Sequence, residues 1–268
     1  MTPGARELLA LALEAAREGA RLVVDERPRG PLAVAATKSS STDIVTEMDQ
    51  RCEAAVVARI LADRPDDGFL GEEGASREST TGVTWVIDPI DGTVNYLYEI
   101  PAYAVSIAAR VGDEVVAGAV VNPVTGETWT AARGEGAWLG DRRIRVNEPP
   151  ELAMALVATG FGYAAGQRAR QAEILQTVLP RVRDVRRAGA ASLDLCALAC
   201  GRVDAYYEQG LKPWDLAAGG LVAQEAGAVV GGLAGRPAGE ALVVAAPPGL
   251  FEPLAALLTE LDADAVAE

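Results

Sequence analysis

The apolar pattern changes period twice along the chain, and that change limits the folds open to it. Residues 5–26 carry Leu9, Leu13, Ala16, Ala20 and Val24 at helical spacing. A polar stretch, residues 37–43, ends this pattern. Thr46 is placed to cap a second helix in which Met48, Cys52, Ala55, Val56 and Ile60 recur up to Pro65, with Asp49 in the first turn. From Gly68 the runs shorten: GFLGEEG and VTWVIDPI each end in carboxylates, as strands do when they deliver acids to a sheet edge. After DGT and a short helical turn come AYAVSIAARV, EVVAGAVV, ETWTAA and GAWLG, separated by GD, NPVTG and RGE turns, which predicts an antiparallel meander. Beyond residues 147–150 strands and helices alternate: ALVATGF, helix 168–179, DVRR, helix 190–201, VDAYYE, helix 213–226, ALVVAA, helix 249–260. The expected class is α/β (α+β), helices layered on sheets. An N-terminal α+β half, 1–148, and a C-terminal α/β half, 149–268, are expected to form one compact unit.

A chain of 268 residues, half of them apolar, can bury the core that such layering needs. No window of about 18 apolar residues suggests a transmembrane helix. The first twenty residues mix acids and arginines on a helical period and lack an apolar signal-peptide region, so a cytoplasmic location is expected. Lys plus Arg number 24 against 38 Asp plus Glu, a net charge of −14, which argues against nucleic acid or an anionic membrane surface as partner. The same surplus of carboxylates suits a hard cation such as Mg²⁺. The three cysteines, Cys52, Cys196 and Cys200, give neither a disulfide framework nor a zinc site, and Cys196 and Cys200 are expected as a buried apolar pair. The chain has no histidine, which removes His-activated nucleophiles and His-based metal sites. Any hydrolysis must therefore run on carboxylates, hydroxyls and a metal.

Three acidic clusters remain as candidates: Glu72-Glu73, Asp88-Pro89-Ile90-Asp91-Gly92-Thr93, and Trp214-Asp215 opening a helix. A Glu-Glu pair beside glycine, or an Asp in a first helical turn, is ordinarily structural. The middle run is different. Two aspartates three apart across a proline-fixed bend can direct carboxylates into one pocket, with the intervening carbonyl as a further ligand. Gly92 lets the backbone approach closely where the chain enters a helical turn whose free N–H groups suit an anion. Carboxylates for cations beside amides for phosphate is the juxtaposition that metal-assisted phosphoryl transfer requires.

GEE at 71–73, WVIDPIDGT at 85–93 and WDLAAG at 214–219 resemble the signature motifs of the inositol monophosphatase family. TDIVTEMDQ at 42–50, GAASLDLC at 189–196 and VDAYYEQG at 203–210 extend the resemblance over nearly the whole chain. It implies the α-β-α-β-α sandwich of the inositol monophosphatase and fructose-1,6-bisphosphatase type, and a lithium-sensitive, Mg²⁺-dependent phosphomonoesterase. It implies two to three Mg²⁺ ions per site: Glu72, Asp88 and the Ile90 carbonyl match ligands of the first, Asp88, Asp91 and Asp215 of the second, and a weaker third leans on Glu72. Thr93 and Asp49 match the pair that orients and deprotonates water. Main-chain groups at Gly92 and Thr93 match the phosphate site. Glu208 matches the acceptor of polyol hydroxyls, with Asp91, Gly189, Ala191 and Asp215 around the substrate, and Lys38 a loop lysine near the outer metal. The implied substrate is myo-inositol 1-phosphate and the implied assembly a homodimer. Histidinol phosphate, fructose 1,6-bisphosphate and a nucleotide 3′-phosphate are the alternative substrates, and a catalytically silent interaction protein is the alternative of another class. The chain departs from the family pattern at Ala190, at Lys212-Pro213 and at Tyr98, none of them a metal ligand.

Overall fold

The computed structural model describes residues 4–27, 36–37 and 44–265. Helices α1 (Ala5–Asp25) and α2 (Glu47–Asp63) flank a two-residue antiparallel ladder of β1 (Ala36–Thr37) and β2 (Ile44–Val45). There follow β3 (Gly68–Gly71), β4 (Ser76–Arg77), β5 (Val83–Asp91), α3 (Thr93–Leu97), β6 (Ala104–Val111), β7 (Glu114–Val121), β8 (Thr128–Ala132), β9 (Gly136–Leu139) and β10 (Arg142–Ile144). The remainder alternates: β11 (Leu156–Thr159), α4 (Ala165–Val178), β12 (Asp184–Arg186), α5 (Ala191–Ala199), β13 (Ala205–Glu208), α6 (Pro213–Glu225), β14 (Val229–Gly231), β15 (Val243–Ala246) and α7 (Pro248–Glu260).

Among the described residues the first sheet has the order β10-β9-β8-β7-β6-β5-β3-β4. Strands β5 to β10 run as the expected antiparallel meander, and β3 joins β5 in parallel. The second sheet has the order β12-β11-β13-β15-β14, with β11 parallel to both neighbours and β15 antiparallel to both of its own.

Side-chain alternation assigns the layers. Trp85, Ile87, Val105 and Ile107 face Leu8, Ala12, Cys52 and Val56 of α1 and α2. Val86, Ala104, Ala108 and Val120 point the other way, onto Cys196, Ala218, Leu221 and Val222 of α5 and α6. Covered on both faces, β5 and β6 read as continuous apolar runs in the sequence. The far side of α5 and α6 packs through Leu195, Leu198 and Ala223 on Tyr206, Val243 and Ala245 of the second sheet. Helices α4 and α7 cover that sheet's outer face through Ile174, Val178, Leu250 and Leu254. The result is the five-layer α-β-α-β-α sandwich. Its middle layer is thin because small residues permit close approach: a Cβ on Gly118 of β7 would sit 3.0 Å from the Ala218 Cα of α6, and one on Gly219 3.1 Å from the Ser192 Cα of α5.

The structure corrects the sequence reading in detail. The buried stripe of α1 is Leu8, Leu11, Ala12, Ala15, Ala16, Gly19, Ala20 and Val23, while Leu9 and Leu13 are half-buried and Val24 is exposed. Gly19 sets this rotation, since a Cβ there would meet the Cys52 Sγ of α2 at 2.9 Å. Cys196 is buried, but Cys200 lies at the C-cap of α5 and is only half-buried. Residues 38–43, Lys38 included, lie outside the described residues.

Candidate active site

Strand β5 delivers two aspartates to one side of the sheet by a break in register. In a regular strand, residues three apart point to opposite faces. Here Asp88 pairs with Ser106 and Asp91 with Ala104, three steps on β5 against two on β6. The extra residue is a bulge, and it returns Asp91 to the side of Asp88. Gly92 then turns the chain into α3 with φ +95, where a Cβ would press on the Ala102 carbonyl at 3.0 Å and on Ala190 Cβ at 3.2 Å. Only glycine meets both demands.

Asp215 arrives from α6. Its Oδ2 accepts the Lys212 backbone N–H at 2.6 Å, so the carboxylate is fixed at the positive end of the helix. Asp91 is held from the opposite direction: Oδ1 accepts the Ala191 N–H at 3.1 Å, and Oδ2 accepts the Ser192 N–H at 2.7 Å and the Ser192 hydroxyl. Ala190, the N-cap of α5, offers no side-chain cap, and Asp91 supplies the missing acceptor from a hundred residues away. The oxygens of Asp88, Asp91 and Asp215 converge within 4.8 Å. Burial, then Glu72, Asp91 and Asp215, raise the Asp88 carboxyl well above the ordinary range. Asp215 is raised by burial, then by Asp91 and Glu72 against the Lys212 N–H. An all-oxygen donor set at odds with its own charge fits a hard divalent cation, whose binding relieves the repulsion.

Behind this cluster the Thr93 hydroxyl lies 3.0 Å from Asp49 Oδ1 and 3.1 Å from the Ile90 carbonyl oxygen. Asp49, on α2, is fully buried and caps its own helix by accepting the Thr46 N–H at 2.8 Å and the Thr46 hydroxyl. Burial lifts its pKa to about 6, with the Thr46 donors opposing the rise. On the far wall Glu208 accepts the Tyr206 hydroxyl at 2.7 Å, and burial lifts it to about 7.

These groups bound one cavity of about 510 Å³ between the two sheets. Glu72, Asp88, Ile90, Asp91, Gly92, Thr93, Gly189, Ala191, Glu208 and Asp215 all line it, and Asp49 sits behind Thr93. Arg187, Gln167 and Tyr163 line the same wall, and nothing in the sequence around them signals it. Arg187 follows a strand and reads as an ordinary exposed cation until the fold brings it to the cavity mouth. Asp194 of α5 does not line the cavity but is buried, its Oδ2 has no hydrogen-bond partner among the described residues, and burial, then Glu208, push it up to about 8.

Fold and site together define an α-β-α-β-α sandwich protein with an acidic, metal-type centre at the junction of its sheets. A model of the inositol monophosphatase family matches residues 5–263, and the chain belongs to that family. It is 52% identical over 231 residues to Inositol-1-monophosphatase SuhB of Mycobacterium tuberculosis, covering 82% of this chain and 80% of the relative. It is 40% identical over 230 residues to Nus factor SuhB of Vibrio cholerae, covering 85% of this chain and 86% of that protein. The crystal structure of extragenic suppressor protein suhB from Bartonella henselae superposes with a TM-score of 0.89 at 32% identity, covering 95% of this chain and 99% of that one.

Proposed function

We propose that the chain is a Mg²⁺-dependent phosphomonoesterase that hydrolyses a phosphorylated polyol, with myo-inositol 1-phosphate as substrate and myo-inositol and phosphate as products. The observation that carries this reading is the convergence of Asp88, Asp91 and Asp215 in front of the Thr93–Asp49 pair. On this reading Glu72, Asp88 and the Ile90 carbonyl would hold one ion and Asp88, Asp91 and Asp215 would hold a second, with Glu72 also serving a weaker third. When bound, such ions acidify water and stabilise charge on the transferring phosphoryl group.

The protein's own groups do the rest. The Thr93 hydroxyl has one proton to donate; given to Asp49, it leaves the oxygen lone pairs to accept a proton from the attacking water. Asp49 is ionised above about pH 6, so it can receive that proton at neutral pH. The amides of Gly92 and Thr93 hold phosphate, and the positive φ of Gly92 aims them. Glu208, with Gly189 and Ala191 beside it, accepts hydrogen bonds from ring hydroxyls. A cavity of about 510 Å³ suits a sugar-sized ester. Residues 1–148 and 149–268 act as one catalytic unit, since Asp91 of the first caps a helix of the second. The family resemblance adds lithium sensitivity and a homodimer to the same reading.

A second reading, an interaction role without catalysis, draws on relatives named Nus factor SuhB. One experiment separates the two and fixes the substrate: kcat/KM with Mg²⁺ for myo-inositol 1-phosphate, histidinol phosphate, fructose 1,6-bisphosphate, a nucleotide 3′-phosphate and glycerol 2-phosphate. Highest kcat/KM on the inositol ester, with Glu208→Gln lowering it more than that for glycerol 2-phosphate, supports the proposal. No turnover of any ester favours the interaction role.

A further inference from the structure

One face of α2 touches three separate segments of the site. Asp49 bonds Thr93, and one turn later the Cys52 thiol donates to the Pro89 carbonyl at 3.4 Å. Next to it on the same face is Glu53, only 5% exposed. Glu53 Oε2 accepts the Glu73 N–H at 2.9 Å and Oε1 accepts the Ala75 N–H at 2.8 Å. Residues 71–75 are closed on themselves by the Gly71 N–H donating to the Ala75 carbonyl at 2.7 Å, and joined to β5 by the Glu72 N–H donating to Ile87 at 3.1 Å. Gly71 gives Glu53 its room, since a Cβ there would lie 2.2 Å from Oε2. Burying a carboxylate is costly unless strong donors meet both oxygens, and a turn with two inward amides provides them.

We infer that Glu53 is a positioning residue for the metal centre: by clamping the amides of Glu73 and Ala75 it holds the turn that presents Glu72 to the cavity. The inference rests on the metal-site reading of Glu72. It assigns a function to a carboxylate outside the proposed ligand set. A glutamine at this position keeps the shape but turns an N–H₂ group toward one of the two amide donors, so one clamp is lost while the fold's core is untouched. Loss of an outlying partner of a metal ligand typically lowers metal affinity by about 10- to 100-fold.

The test uses the full chain with Glu53→Gln, and Glu53→Asp as a shorter carboxylate should the first variant fold poorly. Amide hydrogen exchange on the metal-free proteins reads the clamp, and calorimetric titration with Mg²⁺ reads its consequence. Expected are faster exchange at Glu73 and Ala75, unchanged exchange in β5 and β6, and Mg²⁺ affinity lower by about tenfold or more. Kinetically the Mg²⁺ concentration for half-maximal rate rises by a similar factor, while kcat at saturating Mg²⁺ is largely kept. Faster exchange with wild-type Mg²⁺ affinity would mean that Glu53 only braces the turn, and would overturn the inference. Absence of Mg²⁺ binding by the wild-type protein would overturn the metal-site reading, and this inference with it.

Discussion

Thr93 is the residue on which the proposed chemistry turns, because a single hydroxyl faces two acceptors, Asp49 at 3.0 Å and Ile90 at 3.1 Å. Its proton can go to only one of them at a time. Donation to the charged Asp49 makes the stronger bond and leaves the oxygen free to accept from water. Thr93→Ala should therefore lower kcat by about 10²- to 10⁴-fold and leave Mg²⁺ affinity nearly unchanged, as steady-state kinetics and calorimetry would read. A variant that keeps kcat at saturating Mg²⁺ but binds Mg²⁺ poorly would move water activation elsewhere, with Glu72 the next candidate. Asp88, Asp91 and Thr93 are legible in the sequence because acids beside proline and glycine make poor core and poor helix. Glu53 is not: within EMDQRCEAAV it reads as one more charge on a solvated helix, and the amides that it binds lie 20 and 22 residues further on.

At the scale of elements, the site is assembled by the seating of α6 on β7. Asp215 and the β5 aspartates belong to different layers, and their separation depends on how closely α6 lies on the sheet. Gly118 sets that approach through its contact with Ala218. Gly118→Val should force the layers apart, costing about 1–3 kcal/mol of stability and lowering Mg²⁺ affinity as well. Denaturant unfolding and metal titration of this variant would show both losses; a loss of stability with undisturbed Mg²⁺ affinity would show that α6 can shift without moving Asp215. The alternating second half and the meander were readable from apolar period and turn residues. The short strands β4, β10 and β14 were not, because two or three residues carry no period and owe their conformation to the neighbour they pair with. On α1, Ala16 and Ala20 are buried as their period predicts, but Leu9, Leu13 and Val24 each lie one residue off the buried stripe, since a helix rich in alanine and leucine on several sides is oriented by the fit of Gly19 to α2.

For the whole molecule, the buried acids make stability a function of pH and metal together. Asp49, Glu208 and Asp194 are lifted to about 6, about 7 and about 8, in each case first by burial, while in an unfolded chain such groups ionise near pH 4. Between these limits the folded protein holds protons that the unfolded chain has released, so stability falls as pH rises. The metal-free protein should lose Tm steadily from about pH 5 to about pH 8, and Mg²⁺ should raise Tm more at the upper end, where more of the acids that it would neutralise are ionised. Scanning calorimetry with and without Mg²⁺ checks this; a Tm that rises over that range would contradict it. The central claim, a carboxylate centre that hydrolyses a phosphomonoester, is met most directly by phosphate release from myo-inositol 1-phosphate at neutral pH. Wild-type protein should release phosphate only with Mg²⁺ present, and Asp88→Asn, which removes the charge proposed to bridge two ions, should release almost none. Equal release with and without Mg²⁺, or wild-type turnover by Asp88→Asn, would contradict the account.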